Sequence, residues 1–327
     1  MQTTLDRSEL VRQPTRAIYR RLGDDVFRSG IIVLGSTIIL LALALAYVLA
    51  TNGWDALRQF GFFGFLTSTT WNPVRGVFGA WPFIVGTLIT SVVALALSFL
   101  PAIGIAIFSA EYAPRWLANI IDTIVDLLAA VPSVVIGIWA IFVLVPLMQT
   151  NVYLPAYLWS AEHAPQLLSF IGSPAGYNLT TATMVLALMI VPYTAALARD
   201  AIRLVPTSQR EAARALGATR WEVMSLAVLP YARGGIIAGA VLSLGRAVGE
   251  TMAVAMLVGN SNNLPFTFFG PAATMPSVIV NEFREAVERL HLSSLMLVGF
   301  YLFLISLIVN LVAAWLQRRF AVGGRTI

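Results

Sequence analysis

The chain has 327 residues, 58% of them hydrophobic and only 11% charged, with a formal net charge of +5 and a mean hydropathy of +0.81. A soluble domain carries roughly 25% charged residues, so this composition excludes an ordinary soluble protein and indicates a polytopic membrane protein. The absence of cysteine excludes disulfides, thiol catalysis and cysteine metal sites. All 21 basic residues are arginine, and without a lysine the chain has no phosphate-binding loop of its own, so any ATP it uses is hydrolysed by another chain.

Residues 1–27 are polar and read as a solvated or interfacial arm. The apolar run after them has no clear cleavage site, so a retained first span is expected at 28–50, not a signal peptide. A crossing helix needs about 20 mostly apolar residues. Five further runs meet that length, at 82–109, 116–147, 179–199, 232–259 and 293–317. Pro101 and Pro132 lie inside the second and third and predict a kink, or a segment lying partly in the interface. Trp71, Trp81, Trp139, Trp159 and Trp315 read as interfacial anchors. Glu111 and Arg115 read as a loop pair. Asp122 and Asp126 share a helix face and read as water-facing or helix N-terminal carboxylates rather than a gate. The spacing of Val278, Phe283, Val287 and Leu290 predicts a short helix near 275–291. His163 and His291 lie outside the apolar runs and far apart, which argues against a histidine metal or catalytic centre, and His291 is expected to be solvated.

The arginines set the orientation. Arg7, Arg12, Arg16, Arg20, Arg21 and Arg28 precede the first span, and Arg199, Arg203, Arg210, Arg214, Arg220 and Arg233 crowd the loop between the fourth and fifth. The opposite loops hold only Arg58, Arg75, Arg284 and Arg289. The positive-inside rule then places both termini and the 199–233 loop in the cytoplasm, and this bias accounts for the basic charge without nucleic acid. The expected organisation is an arm over 1–27, a transmembrane domain over 28–319 with its large cytoplasmic loop at about 200–232, and a tail over 320–327.

That loop has the pattern of two helices with a break between them. Ser208 with Glu211 three residues on has the form of a capping box, and Gly217 ends the first helix or lets a partner approach closely. In the fifth span, at about 100° per residue, Gly235, Gly239, Ser243, Arg246, Glu250 and Ala253 fall on one stripe. Small residues mark close helix packing in membranes, and a lipid-facing arginine at that depth costs about 3 kcal/mol. The stripe is therefore expected to face protein or a watery path, near an interface with a second subunit. Arg246 and Glu250 have pairing distance on a continuous helix. Two readings stand: a self-neutralising structural pair, or a lining for an anion path in which glutamate keeps arginine from trapping its cargo, with Thr251 beside it.

Glu211-Ala212-Ala213, Gly217 and Leu229-Pro230 at their intervals resemble the cytoplasmic signature of binding-protein-dependent ABC importer permeases, with Ala227 departing from the larger branched residue usual there. Trp71-Asn72-Pro73-Val74, Phe78-Gly79-Ala80-Trp81-Pro82-Phe83 and Ala129-Ala130-Val131-Pro132-Ser133 are similar to stretches of phosphate importer permeases. Gly249-Glu250-Thr251-Met252-Ala253-Val254 looks like the PstC type more than its PstA-type sister.

The resemblance implies an all-helical type I importer permease of the bacterial inner membrane. It implies a homologous PstA-type permease, two PstB-type ATPases and a PstS-type phosphate-binding protein as partners, and no cofactor in this chain. Arg210, Glu211, Ala212, Ala213 and Gly217 are implied in ATPase coupling, and Arg246, Glu250 and Thr251 in the phosphate path. Pro132, Gly235, Gly239 and Gly249 are expected at kinks or close packing. A permease for molybdate or sulfate remains the near alternative, and an ATP-independent anion transporter the distant one.

Overall fold

The structure, a computed structural model, describes residues 14–264 and 267–320. Much of the expected arm 1–27 and nearly all of the tail 320–327 lie outside the described residues. Among the described residues six helices are long and apolar enough to cross a membrane: Phe27–Asn52, Trp81–Tyr112, Ser133–His163, Leu179–Arg203, Arg220–Gly249 and Arg289–Gln317. No strand occurs among the described residues. The first span belongs to a unit of its own, Met1–Thr51, and is apolar around its whole circumference.

The other five spans and their connections make up the second unit, Asn52–Ile327. Its core is layered. Phe65, Trp71, Phe78, Phe83 and Tyr301 pack at one end, Leu186, Ile190, Val254 and Leu257 in the middle, and Ala198, Ile202, Met224 and Val228 at the end that carries the 204–219 loop. The second span makes its closest backbone approach at Gly86, where a Cβ would meet the Ala273 carbonyl oxygen at 2.1 Å. Next to it Thr87 Oγ1 accepts the Met275 N–H at 2.9 Å, and both contacts tie the 272–275 segment to the bundle.

Prolines shape the helices in a regular way. Wide π turns occur at Phe108–Tyr112, Ala140–Leu144, Gln149–Tyr153 and Val223–Val228, and each ends two residues before a proline: Pro114, Pro146, Pro155 and Pro230. A proline lacks an N–H and its ring crowds the carbonyl four residues back, and widening the preceding turn relieves both problems.

Two spans differ from expectation. The 116–147 run is not one helix. An amphipathic helix, Arg115–Ala130, stops at Val131, and the third span starts afresh at Ser133. Pro132 forces the residue before it into extended backbone, with Val131 at ψ 128°, so the proline makes a full break. The third span then continues to His163, through residues that looked like loop. The 232–259 run is also interrupted: its helix ends at Gly249, Glu250 is extended, and a separate short helix covers Met252–Leu257. Likewise the helix expected near 275–291 closes at Glu282, and the next begins at Arg289.

Candidate functional site

The fifth-span stripe packs where small residues let helices close up. A Cβ on Gly235 would meet the Ala201 Cβ at 2.3 Å, and one on Gly239 the Leu197 Cβ at 3.0 Å. Ser243 and Thr194 share a buried hydrogen bond of 2.7 Å. This part of the stripe faces protein, as expected, and that protein is the chain's own fourth span, Leu179–Arg203. Nothing lies within 4 Å of a Cβ placed on Gly249.

Arg246 follows one turn beyond Ser243. Its guanidinium carbon sits 4.3 Å from the centre of the Tyr193 ring, a cation–π stack. The Tyr193 hydroxyl donates to the Ala129 carbonyl at 2.5 Å, satisfying one of the open carbonyls at the end of the Arg115–Ala130 helix. Arg246 Nε is buried and has no hydrogen-bond partner. The expected Arg246–Glu250 pair is not formed: among the described residues neither takes part in an ion pair, because the helix that would align them ends between them. Glu250 Oε1 instead accepts weakly from the Ala253 N–H at 3.4 Å, across the break, and Thr251 Oγ1 donates back to the Gly249 carbonyl at 3.1 Å. Gly137 lets the third span lie against the segment after this break, with Met256 Sδ and Ala253 Cα at 2.9 and 3.3 Å from a Cβ placed there. The two interrupted spans therefore meet close to their interruptions, beside Arg246.

A second cluster lies at the loop end. Asp122 accepts from Ser109 Oγ at 2.5 Å and pairs with Arg203 at 2.8 Å and Arg199 at 3.2 Å, while the more exposed Asp126 lies 3.8 Å from Arg199. Asp122 is thus a half-buried clamp between the second span, the amphipathic helix and the fourth span, not a water-facing carboxylate. Burial pushes its pKa up, but the hydrogen bonds from Ser109 and Arg203 and the charge of Arg199 outweigh that and hold it below the ordinary value of 3.8. A depressed carboxylate contributes stability that is complete above its ordinary pKa and is lost as pH falls through the folded-state value. Asp122→Asn should cost the solubilised protein about 2 kcal/mol near neutral pH, less than the 3–5 for a fully buried pair because Arg203 is 42% exposed. The deficit should shrink below about pH 4. Denaturation measured across that range checks both statements.

The loop helix runs Thr207–Ala215, entered from Pro206 with no side-chain cap, so Ser208 does not cap it. The capping box of this region is Thr219 with Glu222, on the helix that leads into the fifth span. Gly217, at φ +86°, closes the loop helix: its N–H reaches the Arg214 carbonyl and the Ala218 N–H reaches that of Ala213, the two bonds of a Schellman motif. Ala213 packs inward, whereas Glu211, Ala212 and Gly217 are exposed and Leu216 is 90% exposed. Arg210 also turns inward. It donates to the Ile202 and Val205 carbonyls at 2.8 and 3.0 Å and pairs with Glu111 at 2.7 Å. Glu111 thus pairs across the fold and not with Arg115.

At the far end Glu282 collects three partners: the Trp71 indole at 2.8 Å, His291 Nε2 at 2.8 Å and the Asn262 amide at 3.1 Å. His291 is 5% exposed and stacked on Phe78, and Trp71 is buried, so neither is the solvated or interfacial residue expected. Their partners are far off in sequence, and no local spacing signals the contact.

A sequence model of the family described as "Binding-protein-dependent transport system inner membrane component" matches residues 102–322. A phosphate transport system permease protein PstC of Pasteurella multocida is 41% identical over 304 residues, 92% of this chain and 94% of the relative. One from Mesorhizobium japonicum is 41% identical over 312 residues, 94% and 95% of the two. PstC 2 of Mycobacterium tuberculosis is 36% identical over 301 residues, 90% and 91%. Among solved structures, a bacterial alginate ABC transporter in complex with its alginate-bound periplasmic protein aligns over 92% of this chain and 98% of its own, with a TM-score of 0.57 and 19% identity. An inward-facing MetNI methionine ABC transporter aligns over 76% and 95%, with a TM-score of 0.55 and 18% identity, and these two likenesses show the fold. The chain is a multi-pass membrane transport permease and belongs to the binding-protein-dependent transport system inner membrane components, among the PstC-type phosphate permeases.

Proposed function

We propose that this chain is one of two permease subunits of an ATP-driven phosphate importer. It pairs with a PstA-type permease to form the path, engages two PstB-type ATPases through the 204–222 region, and receives phosphate from a PstS-type binding protein. Both termini and the 204–222 region lie in the cytoplasm, as the arginine distribution requires. The chain performs no bond chemistry and holds no cofactor. ATP binding closes the ATPases, the exposed side of Thr207–Ala215 moves with them, and the spans rock to admit phosphate; hydrolysis resets them.

The observation that carries the phosphate path is Arg246, which lies inside a span and, unlike Arg199 and Arg210 with their Asp122 and Glu111 partners, enters no ion pair among the described residues. An arginine kept inside a span without an opposite charge is costly and marks an ion or substrate path. A guanidinium with open N–H groups suits a phosphate, whose oxygens it can bind two at a time. Glu250, just past the end of that helix, supplies the competing charge that allows release. An ATP-independent transporter leaves the capped, inward-anchored loop helix without a role.

Phosphate uptake tests this in cells lacking their own high-affinity importer, with the chain expressed beside its partner subunits. Arg246→Gln should assemble and hydrolyse ATP yet lose at least about tenfold in uptake, the value of a single charge-assisted contact. Normal uptake by the variant would make Arg246 a packing device. No phosphate uptake by an assembled wild type would turn the search to molybdate and sulfate.

A further inference from the structure

Arg246 is held on one face by an aromatic ring. We infer that Tyr193 is a positioning residue that holds the Arg246 guanidinium off Glu250 and keeps its in-plane N–H groups presented to an anion; this rests on the placement of Arg246 in the phosphate path. A guanidinium can stack face-on against an aromatic ring without using its N–H donors, which lie in its own plane. The 4.3 Å stack on Tyr193 does this, and Nε remains without a partner. A carboxylate, by contrast, takes those donors directly. Glu250 lies four residues on, past the end of the helix, and is itself held only by the weak 3.4 Å contact to Ala253.

Tyr193 is in turn fixed by the interrupted span. Its hydroxyl is bonded to Ala129, at the end of the Arg115–Ala130 helix. The same helix is clamped at the loop end by Asp122 to Arg199 and Arg203. Tyr193, Arg199 and Arg203 all belong to the fourth span, so the amphipathic helix is strapped to that span at two levels. Arg246 then has two positions: stacked on Tyr193 and open to phosphate, or drawn to Glu250 and closed to it.

Uptake per assembled complex, measured in whole complexes at saturating phosphate, tests the assignment. Tyr193→Phe keeps the ring and should stay within about threefold of wild type. Tyr193→Leu should fall roughly tenfold, the worth of a desolvated cation–π contact. In a Glu250→Gln background, itself slowed in release, Tyr193→Leu should cost much less than tenfold, because the arginine has no carboxylate to collapse onto; a merely space-filling tyrosine would cost the same in both backgrounds. Fluorinated phenylalanines placed at position 193 keep the ring's shape while weakening its negative face, so uptake should decline stepwise with fluorine number even if Tyr193→Leu fails to assemble. Three results overturn the assignment: Tyr193→Phe as defective as Tyr193→Leu, an equal Tyr193→Leu loss in both backgrounds, or no trend with fluorination. Normal uptake by Arg246→Gln in parallel would instead overturn the path reading on which it rests.

Discussion

Arg210→Ala should lower phosphate uptake by roughly a hundredfold or more while leaving ATP hydrolysis by the isolated ATPases untouched. Arg210 is an internal strut. One guanidinium joins the loop helix Thr207–Ala215 to the end of the fourth span, through the Ile202 and Val205 carbonyls, and to the end of the second, through Glu111. Removing one member of a buried ion pair costs about 3–5 kcal/mol, and each 1.4 kcal/mol is tenfold in an equilibrium, so the anchored position of the loop helix would no longer dominate. Force applied to the exposed side of that helix would then turn the helix instead of the spans. The geometry sets an order among variants. Glu111→Gln keeps an acceptor and should be the mildest. Arg210→Lys offers one point charge to three acceptors and should be intermediate. Exchanging the two residues should remain defective, because the carbonyls need their donor at position 210. Uptake and phosphate-stimulated ATPase activity in the assembled complex check the order; full activity of Arg210→Ala would show that the loop helix is held by its apolar packing alone.

The spans were legible because each is long and apolar, a signal that needs no knowledge of neighbours. Their interruptions were not. Pro132 was visible, but the same residue type sits inside intact helices at Pro101 and Pro192, so a proline alone does not separate a break from a bend. At Pro101 the surrounding helix packs on neighbours that hold it straight enough to continue. At Pro132 the extended backbone is fixed by what its ends touch, notably the Ala129 carbonyl held by Tyr193. The break at Glu250 had less signal still, since a small stripe at helical spacing runs through it without interruption.

The polar contacts divide in the same way. Gly217 was readable because helix ends have a local grammar, and its φ of +86° is what a terminating glycine supplies. The capping box was placed one helix too early, since Ser208/Glu211 and Thr219/Glu222 have the same spacing and only the second pair closes. Asp122 with Arg199 and Arg203, Glu111 with Arg210, and Glu282 with Trp71 and His291 join residues distant in sequence. A solvated site is the expectation for Asp122 and His291 because charges are usually solvated, yet in both cases an opposite or hydrogen-bonding partner from another helix makes burial tolerable. Tyr193 gave no signal at all: a tyrosine in an apolar span is unremarkable until an arginine is found stacked on it.

Gly217→Val should uncouple the complex, lowering uptake roughly a hundredfold for about 3 kcal/mol of backbone strain, and the ranking of smaller substitutions says why the glycine is there. Two physical reasons for a glycine at the tip of this loop predict opposite orders. If a partner's surface needs the missing Cβ, the penalty follows size: alanine is mild, and asparagine and valine are both severe. If the left-handed backbone is what matters, it follows φ: asparagine, which adopts that region at little cost, is mild, alanine is intermediate, and valine, branched at Cβ, is worst. Within the chain nothing lies within 4 Å of a Cβ built at Gly217, so the fold itself imposes no size limit. The φ of +86° and the two Schellman bonds do impose a conformational one. The expected order of activity is therefore glycine, asparagine, alanine, valine. The strain acts at a distance because Gly217 sets the direction in which Leu216, almost fully exposed, leaves the helix end. A residue that cannot hold positive φ unwinds the last turn and re-aims that side chain, whereas Arg210 still holds the helix start. Measuring uptake and ATPase stimulation for the three variants separates the reasons: asparagine failing while alanine works would assign Gly217 to a close partner contact instead of to the turn.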